Sequence, residues 1–360
     1  MWNVVVALGF GGIGLLVTGI MTRRNASAGL YLFKRLARRR AGRQRPRLAS
    51  KNELAVLLCG TGSPLPDPDR AGPSALVAAG DRFFVIDAGT ASVRNLLLWR
   101  VPLTQLDAVL ITHFHSDHIA ELGEINLQSW VAGRGAPLKV YGPPGIERVV
   151  AGFNQAYAYD SAYRTIHHGA DLLTPRTAGM EAITVTIPSD DDTGVVFEAD
   201  GLKITAIRVQ HDPVKPAYGY RFDYKDRCIV ISGDTAADHN LANAAMGADV
   251  LVHDALNPQM VKALEEAMTA TGNPRTAKIM QDIPGYHASP VDAAQIANAA
   301  GARLLVLTHM VPMLPNNVAE RLFLNGVGAV RPNGVELGHD GTLIRLPAHG
   351  TVIHSTTLRA

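Results

Sequence analysis

Between Ile111 and Ile119 the chain reads Ile-Thr-His-Phe-His-Ser-Asp-His-Ile. His113, His115 and His118 place three imidazoles within six residues, and Asp117 adds a carboxylate beside them. Imidazole nitrogen and carboxylate oxygen are the ligands that Zn²⁺ accepts. So dense a polar set is a poor surface loop and a worse core, which leaves metal binding as its chemistry. In an extended segment alternate side chains share a face, so His113 and His115 can grip one ion. If a turn follows, Asp117 and His118 stand beside it and can grip a second.

Ligands of this kind need rigid supports, and the flanking sequence supplies them. Ala108–Thr112 is a short apolar run that leads straight into His113. Ala55–Cys59, Phe83–Asp87, Leu138–Tyr141, Ile204–Val209, Tyr218–Phe222, Cys228–Ser232, Val250–His253 and Leu304–Thr308 read the same way, as buried strands. Met260–Ala270 and Pro290–Ala300 read as helices, and Pro143-Pro144-Gly145 marks a strand-to-helix turn. Asp190-Asp191-Asp192 reads as a solvated loop. The mixture predicts α/β layers whose strands deliver their last residues to loops.

Composition agrees with a large buried core. The 360 residues are 47% hydrophobic and only 18% charged, which excludes a disordered regulator or a solvated coiled coil. Two cysteines, Cys59 and Cys228, cannot build a disulfide scaffold. Charge is unevenly spread. Residues 1–52 hold eleven Lys or Arg and no acid, which leaves 23 basic against 32 acidic residues in 53–360. The globular part therefore offers a polyanion no general basic surface.

Trp2–Met21 holds no charge over twenty residues, the length that spans a bilayer core. It reads as a transmembrane anchor (1–22), with a cleaved signal segment and a core helix as rivals. Residues 23–52 read as a basic juxtamembrane linker, within which Tyr31–Arg40 forms either an interfacial helix or a solvated stretch. Residues 53–360 read as the catalytic domain. Basic residues follow the apolar run and none precedes it, so the expected protein is single-pass, with its catalytic domain in the cytoplasm. The domain would instead be periplasmic or secreted if the segment is a signal.

The segment His113-Phe114-His115-Ser116-Asp117-His118 resembles the HxHxDH signature of the metallo-β-lactamase superfamily. The resemblance runs from about Leu54 to about Leu346. Cys59-Gly60-Thr61-Gly62-Ser63, Val85-Ile86-Asp87-Ala88-Gly89 and Val140-Tyr141-Gly142-Pro143-Pro144-Gly145 resemble segments of its RNase Z and arylsulfatase-like branch. The fold implied is an αββα sandwich. His211, Asp234 in Ser232-Gly233-Asp234-Thr235, and His309 in Leu307-Thr308-His309 match that branch's remaining ligands. The resemblance thus implies His113, His115, His211 and Asp234 on one ion, and Asp117, His118, His309 and Asp234 on the other. Two Zn²⁺ per chain are expected, with Mn²⁺ or Fe as alternatives.

Two such ions imply hydrolysis by a hydroxide shared between them, with Asp117 holding or accepting its proton. Asp87 is expected to hydrogen-bond the ligand loop rather than bind metal. His287, in Tyr286-His287-Ala288-Ser289, resembles the histidine of the family's HST loop, which implies a general acid. Asp254 stands where the family carries Glu, and the shorter side chain puts its support of His287 in question. His167 and His168, adjacent after Arg164, are read as candidate contacts for an anionic ester, beside the reading of a solvated loop.

Four activities compete. The RNase Z resemblance implies an arm that binds tRNA, but only six residues separate Arg221 from Cys228, where many bacterial members carry it. That and the acidic globular part favour a small anionic ester. The expected enzyme is a binuclear zinc hydrolase of phosphodiester or sulfate esters, with nucleic acid the less favoured partner. An RNase Z-type tRNA 3′-processing endoribonuclease is the first alternative and a lactone or β-lactam hydrolase the second. A non-catalytic scaffold would have lost ligands, and none is missing. The resemblance leaves a homodimer open.

Overall fold

The computed structural model describes residues 23–42 and 45–359. They fall into two units, one carrying the helix Arg23–Ala41 and the other running from Arg47 to Arg359. The larger unit contains fifteen strands in two sheets. In chain order the first six are β1 (Glu53–Gly60), β2 (Ser74–Ala79), β3 (Arg82–Ile86), β4 (Leu106–Leu110), β5 (Leu138–Gly142) and β6 (Met180–Thr184). Then come β7 (Thr193–Ala199), β8 (Leu202–His211), β9 (Val214–Tyr224), β10 (Arg227–Ile231) and β11 (Val250–Leu256). The last four are β12 (Leu304–Val311), β13 (Val335–Leu337), β14 (Thr342–Pro347) and β15 (His354–Thr357).

The first sheet has the order β15-β14-β1-β2-β3-β4-β5-β6, and the second β13-β12-β11-β10-β9-β8-β7. β1 shows why the two stack. Every residue from Leu54 to Gly60 is buried, so both of its faces are covered. Leu54, Val56 and Leu58 point inward, where they meet Ile204, Tyr220, Phe222 and Ile229 of the second sheet. Ala55, Leu57 and Cys59 point the other way, toward Val93, Leu122, Ile125 and Ile146 on helices. The second sheet repeats the arrangement, with Ile207, Val230, Leu251 and Leu305 facing Leu241, Ala293 and Ala297. Layers therefore run helix, sheet, sheet, helix. Emptying the inter-sheet layer at Phe222 by substitution with Ala would cost ~3–5 kcal/mol.

The expected α/β layering is present, with several elements the apolar runs did not announce. β7, β13 and β15 are short, half-exposed or exposed strands, and their sequences show no strong alternation. Ile146–His168 is a 23-residue helix, although only its opening turn was marked in the sequence. Only Ile146 and Val150 of it are buried, so no apolar stripe advertised it.

The membrane expectation is corrected. Among the described residues no helix is long and apolar enough to cross a membrane. The run Trp2–Met21, on which the single-pass anchor and the cytoplasmic placement of the catalytic domain rested, lies outside the described residues. Tyr31–Arg40, left between helix and solvated linker, lies within the helix Arg23–Ala41.

Candidate metal centre

β4 ends at Leu110, and Ile111 and Thr112 carry the chain out of the first sheet to His113 and His115. A helical turn, Ser116–Ile119, then brings Asp117 and His118 round to the same side. The second sheet answers from three strands. His211 is the last residue of β8, Asp234 follows β10, and His309 lies within β12. His309 sits at a bulge: Asp254 pairs with Thr308 and Ala255 with Met310, so His309 is the extra residue, at a φ of 45°. Gly233 delivers Asp234 at a φ of 65°, and a Cβ there would meet the Tyr218 carbonyl at 2.6 Å.

All seven residues converge. Nitrogen and oxygen atoms of His113, His115, His211 and Asp234 lie within 4.8 Å of one another, as do those of Asp117, His118 and His309. Asp234 Oδ2 stands 3.9 Å from His113 Nε2, 3.2 Å from His118 Nε2 and 3.3 Å from His309 Nε2, so one carboxylate faces both groups. His309 Nε2 is 3.4 Å from Asp117 Oδ2, and His118 Nε2 3.5 Å. Ligands roughly 2.0–2.2 Å from one tetrahedral ion would stand about 3.4 Å apart, so the spacing suits divalent metal. Burial adds a second sign. His118 Nε2 is buried, makes no hydrogen bond and points into the cluster.

The outer nitrogens are held from behind, which aims the inner ones. His118 Nδ1 is 2.8 Å from Asp87 Oδ2, and Asp87 also accepts from Thr112 N and Oγ1, both at 2.8 Å. Asp87, with a φ of 57°, therefore braces the ligand loop and lies behind the cluster. His113 Nδ1 meets Thr112 Oγ1 at 3.0 Å, and His211 Nδ1 the Tyr286 carbonyl at 3.0 Å. The two sheets are also tied directly, because Tyr220 donates its hydroxyl to Ile111 O at 2.8 Å.

Electrostatics follow burial and charge. Burial pushes His113 well below the ordinary imidazole range and lowers His115 and His211, whereas the carboxylates of Asp234, Asp87 and Asp117 outweigh burial and raise His118 and His309. Burial also opposes charge on Asp234, but His309 and His118 outweigh it and hold the carboxyl well below its usual range.

His287 borders the same cluster, within ligand reach of Asp234 and His309. Its Nδ1 lies 2.9 Å from Asp254 Oδ2, so the shorter carboxylate does span the gap. Asp254 is itself buried and lies 3.1 Å from His253 Nδ1. A capping box between Ser289 and Asp292 fixes the helix Pro290–Ala299 just beyond, and Ala288 N donates to Thr235 O at 2.8 Å. His167 and His168 end the helix Ile146–His168, exposed, and are not brought into the cluster.

Beyond Asp87 and Asp254, sequence reading missed several supports. Thr112, Tyr286 and Tyr220 each touch the ligand frame, and Glu121 ties the following turn to Ala91 N and Val93 N at 2.7 Å. Thr112 and Tyr286 adjoin named residues and Tyr220 lies in the strand read over Tyr218–Phe222, which were the available signals; Glu121 carried none. A cleft of about 530 Å³ opens beside His211, with Arg208, Gln210, Lys215, Asp238 and Asn240 among its walls.

Residues 82–310 match the family described as Beta-lactamase superfamily domain. The Ribonuclease Z of Mycobacterium bovis (strain BCG / Pasteur 1173P2) is 38% identical over 300 residues, covering 82% of this chain and 99% of that protein. That of Mycolicibacterium gilvum (strain PYR-GCK) is 37% identical over 264 residues, 72% of this chain and 85% of its own length. Among solved structures, the metallo-beta-lactamase fold protein YhfI from Bacillus subtilis aligns with a TM-score of 0.58 at 22% identity, covering 82% of this chain and all of that one. The short form of human tRNase Z aligns with 0.55 at 20%, covering 81% and 98%. Fold and relatives together define a metal-dependent hydrolase. The chain belongs to the metallo-β-lactamase superfamily, on its RNase Z branch.

Proposed function

We propose that the protein is an RNase Z-type endoribonuclease that cuts phosphodiester bonds of RNA, with precursor tRNA as its substrate class. The small phosphate or sulfate ester favoured by composition gives way to this reading. Relatives named Ribonuclease Z align over up to 99% of their own length. The short Phe222–Arg227 connection does lack an arm, but the helix Ile146–His168 exposes Tyr159, Tyr163 and Ile166, aromatic and apolar surface open to a partner.

One observation carries the choice of leaving group: His287 beside the metal cluster with Asp254 behind it at 2.9 Å. A ribose oxygen is a poor leaving group and needs a proton, whereas an aryl oxygen does not. His113, His115, His211 and Asp234 would hold one ion and Asp117, His118, His309 and Asp234 the other, and Zn²⁺ suits this donor set. When bound, the ions supply Lewis acidity to the scissile phosphate and acidify water. Asp117 accepts the proton of the attacking water. As the new P–O bond forms and the bond to ribose breaks, the His287 Nε2 proton passes to the leaving oxygen. Asp254 keeps Nδ1 protonated, so Nε2 is the exchanging nitrogen.

The test is a metal-reconstituted preparation offered precursor tRNA, an aryl phosphodiester and an aryl sulfate. Endonucleolytic cleavage at the 3′ side of the tRNA is expected. Efficient sulfate hydrolysis with intact RNA would overturn the reading.

A further inference from the structure

The catalytic unit has an unmet need that the rest of the chain answers. Residues 53–360 carry 32 acids against 23 bases, yet the proposed substrate is a polyanion. The excess positive charge lies before residue 52, and most of it falls on the helix Arg23–Ala41, which holds no acid in 19 residues.

Helical spacing sorts that segment into two faces. Tyr31, Lys34, Arg35 and Arg38 follow at i, i+3, i+4 and i+7 and share one side, with Arg39 at its edge. Leu30, Phe33, Leu36 and Ala37 lie round the other side with Arg40 among them, and Leu32 flanks Arg39. The residues of the cationic side are exposed, Tyr31 in its middle to 70%. Guanidinium and ammonium groups neutralise phosphates. An aromatic ring set among them offers a face on which any unpaired base can stack. The vesicle arm of the experiment below separates this use from a headgroup contact, which a basic face with a tyrosine also suits.

We infer that the face formed by Tyr31, Lys34, Arg35, Arg38 and Arg39 binds RNA, and that it supplies the phosphate-neutralising charge the acidic catalytic unit lacks. The inference rests on the RNA-cleaving reading above. Being on the same chain as the active site, the helix raises the local concentration of substrate without entering the chemistry. Its contribution therefore falls on KM and on salt dependence, leaving kcat alone.

The experiment uses full-length, metal-loaded protein and a labelled precursor tRNA, with cleavage kinetics and anisotropy measured across a salt series. The variant replaces Lys34, Arg35, Arg38 and Arg39 by Gln, which keeps helix propensity. We expect KM for RNA to rise about tenfold or more near ~100 mM salt, with kcat unchanged. The slope of log affinity against log salt should fall by about three, the value for four lost phosphate contacts. Tyr31→Ala should weaken binding roughly 5- to 100-fold without changing that slope. Hydrolysis of bis-para-nitrophenyl phosphate should be unaffected by either. If the wild type cleaves RNA and the variant keeps its KM and slope, the inference fails and the reading stands. Loss of binding to phosphatidylglycerol vesicles with RNA kinetics unchanged would assign the face to lipid and overturn it as well. If the wild type binds RNA through this face but does not cleave it, only the RNA-cleaving reading falls.

Discussion

The candidate centre is built from two arms of opposite character. The first sheet contributes His113, His115, Asp117 and His118 from one continuous segment, shaped by a strand end and a single helical turn. The second contributes His211, Asp234 and His309 from three strands, with almost a hundred residues between the first and last. The first arm is oriented locally, by Thr112 and by Asp87 from the neighbouring strand. The second depends on strand register, since a one-residue slip would turn His211 and His309 to the other face. The bulge at His309 shows how tightly that register is set. A local arm can be legible as a motif, whereas a register-dependent arm exists only once the sheet has formed.

Removing the group that joins the arms should have the largest effect. Asp234→Ala should lose both ions and bring activity to background, measured by elemental analysis beside turnover. A variant that retains two ions would mean that the arms bind metal independently of Asp234.

Next in size is His287→Ala, expected to keep its metal and lose about 10²–10⁴ in rate on RNA. The deficit should shrink on a nitrophenyl ester, whose leaving group needs no proton. The same deficit on both substrates would move His287 from proton donor to binding contact.

Asp87→Ala tests the support of the first arm alone. Metal affinity should fall about 10- to 100-fold, the usual effect of losing a carboxylate behind a ligating histidine. An unchanged affinity in a chelator competition would show that Thr112 and the helical turn suffice to aim His118.

The smallest effect is expected from Ser289→Ala, which removes the cap of the helix behind His287. Its cost should be about 1 kcal/mol of stability, read from denaturant unfolding, with metal content unchanged. A loss of metal there would mean that this loop also carries the second arm.

Legibility followed the same division. His113-Phe114-His115-Ser116-Asp117-His118 disclosed a candidate metal loop because its candidate ligands are contiguous, and the apolar runs around it located most of the central strands. His211, Asp234 and His309 were reachable only through resemblance, for a lone histidine at a strand end has no local pattern. The edge strands β7, β13 and β15 escaped because exposed edges lack the buried runs that mark central strands, whereas β2, β6 and β14 went unread for want of a long β-branched or aromatic run, although β2 is wholly buried between β1 and β3.

By itself, then, the sequence determined the α/β layering, the clustering of the first candidate arm and the contrast between a basic N-terminal segment and an acidic globular unit. Each is a property of neighbouring residues or of summed charge. The tertiary structure alone decided that Asp234 faces both ligand groups, that Asp254 reaches His287 despite its short side chain, and that Tyr220 ties the two sheets at the loop. Each of these is a distance across the sandwich. Such distances are set by how the two buried faces pack, and no stretch of neighbouring residues encodes them.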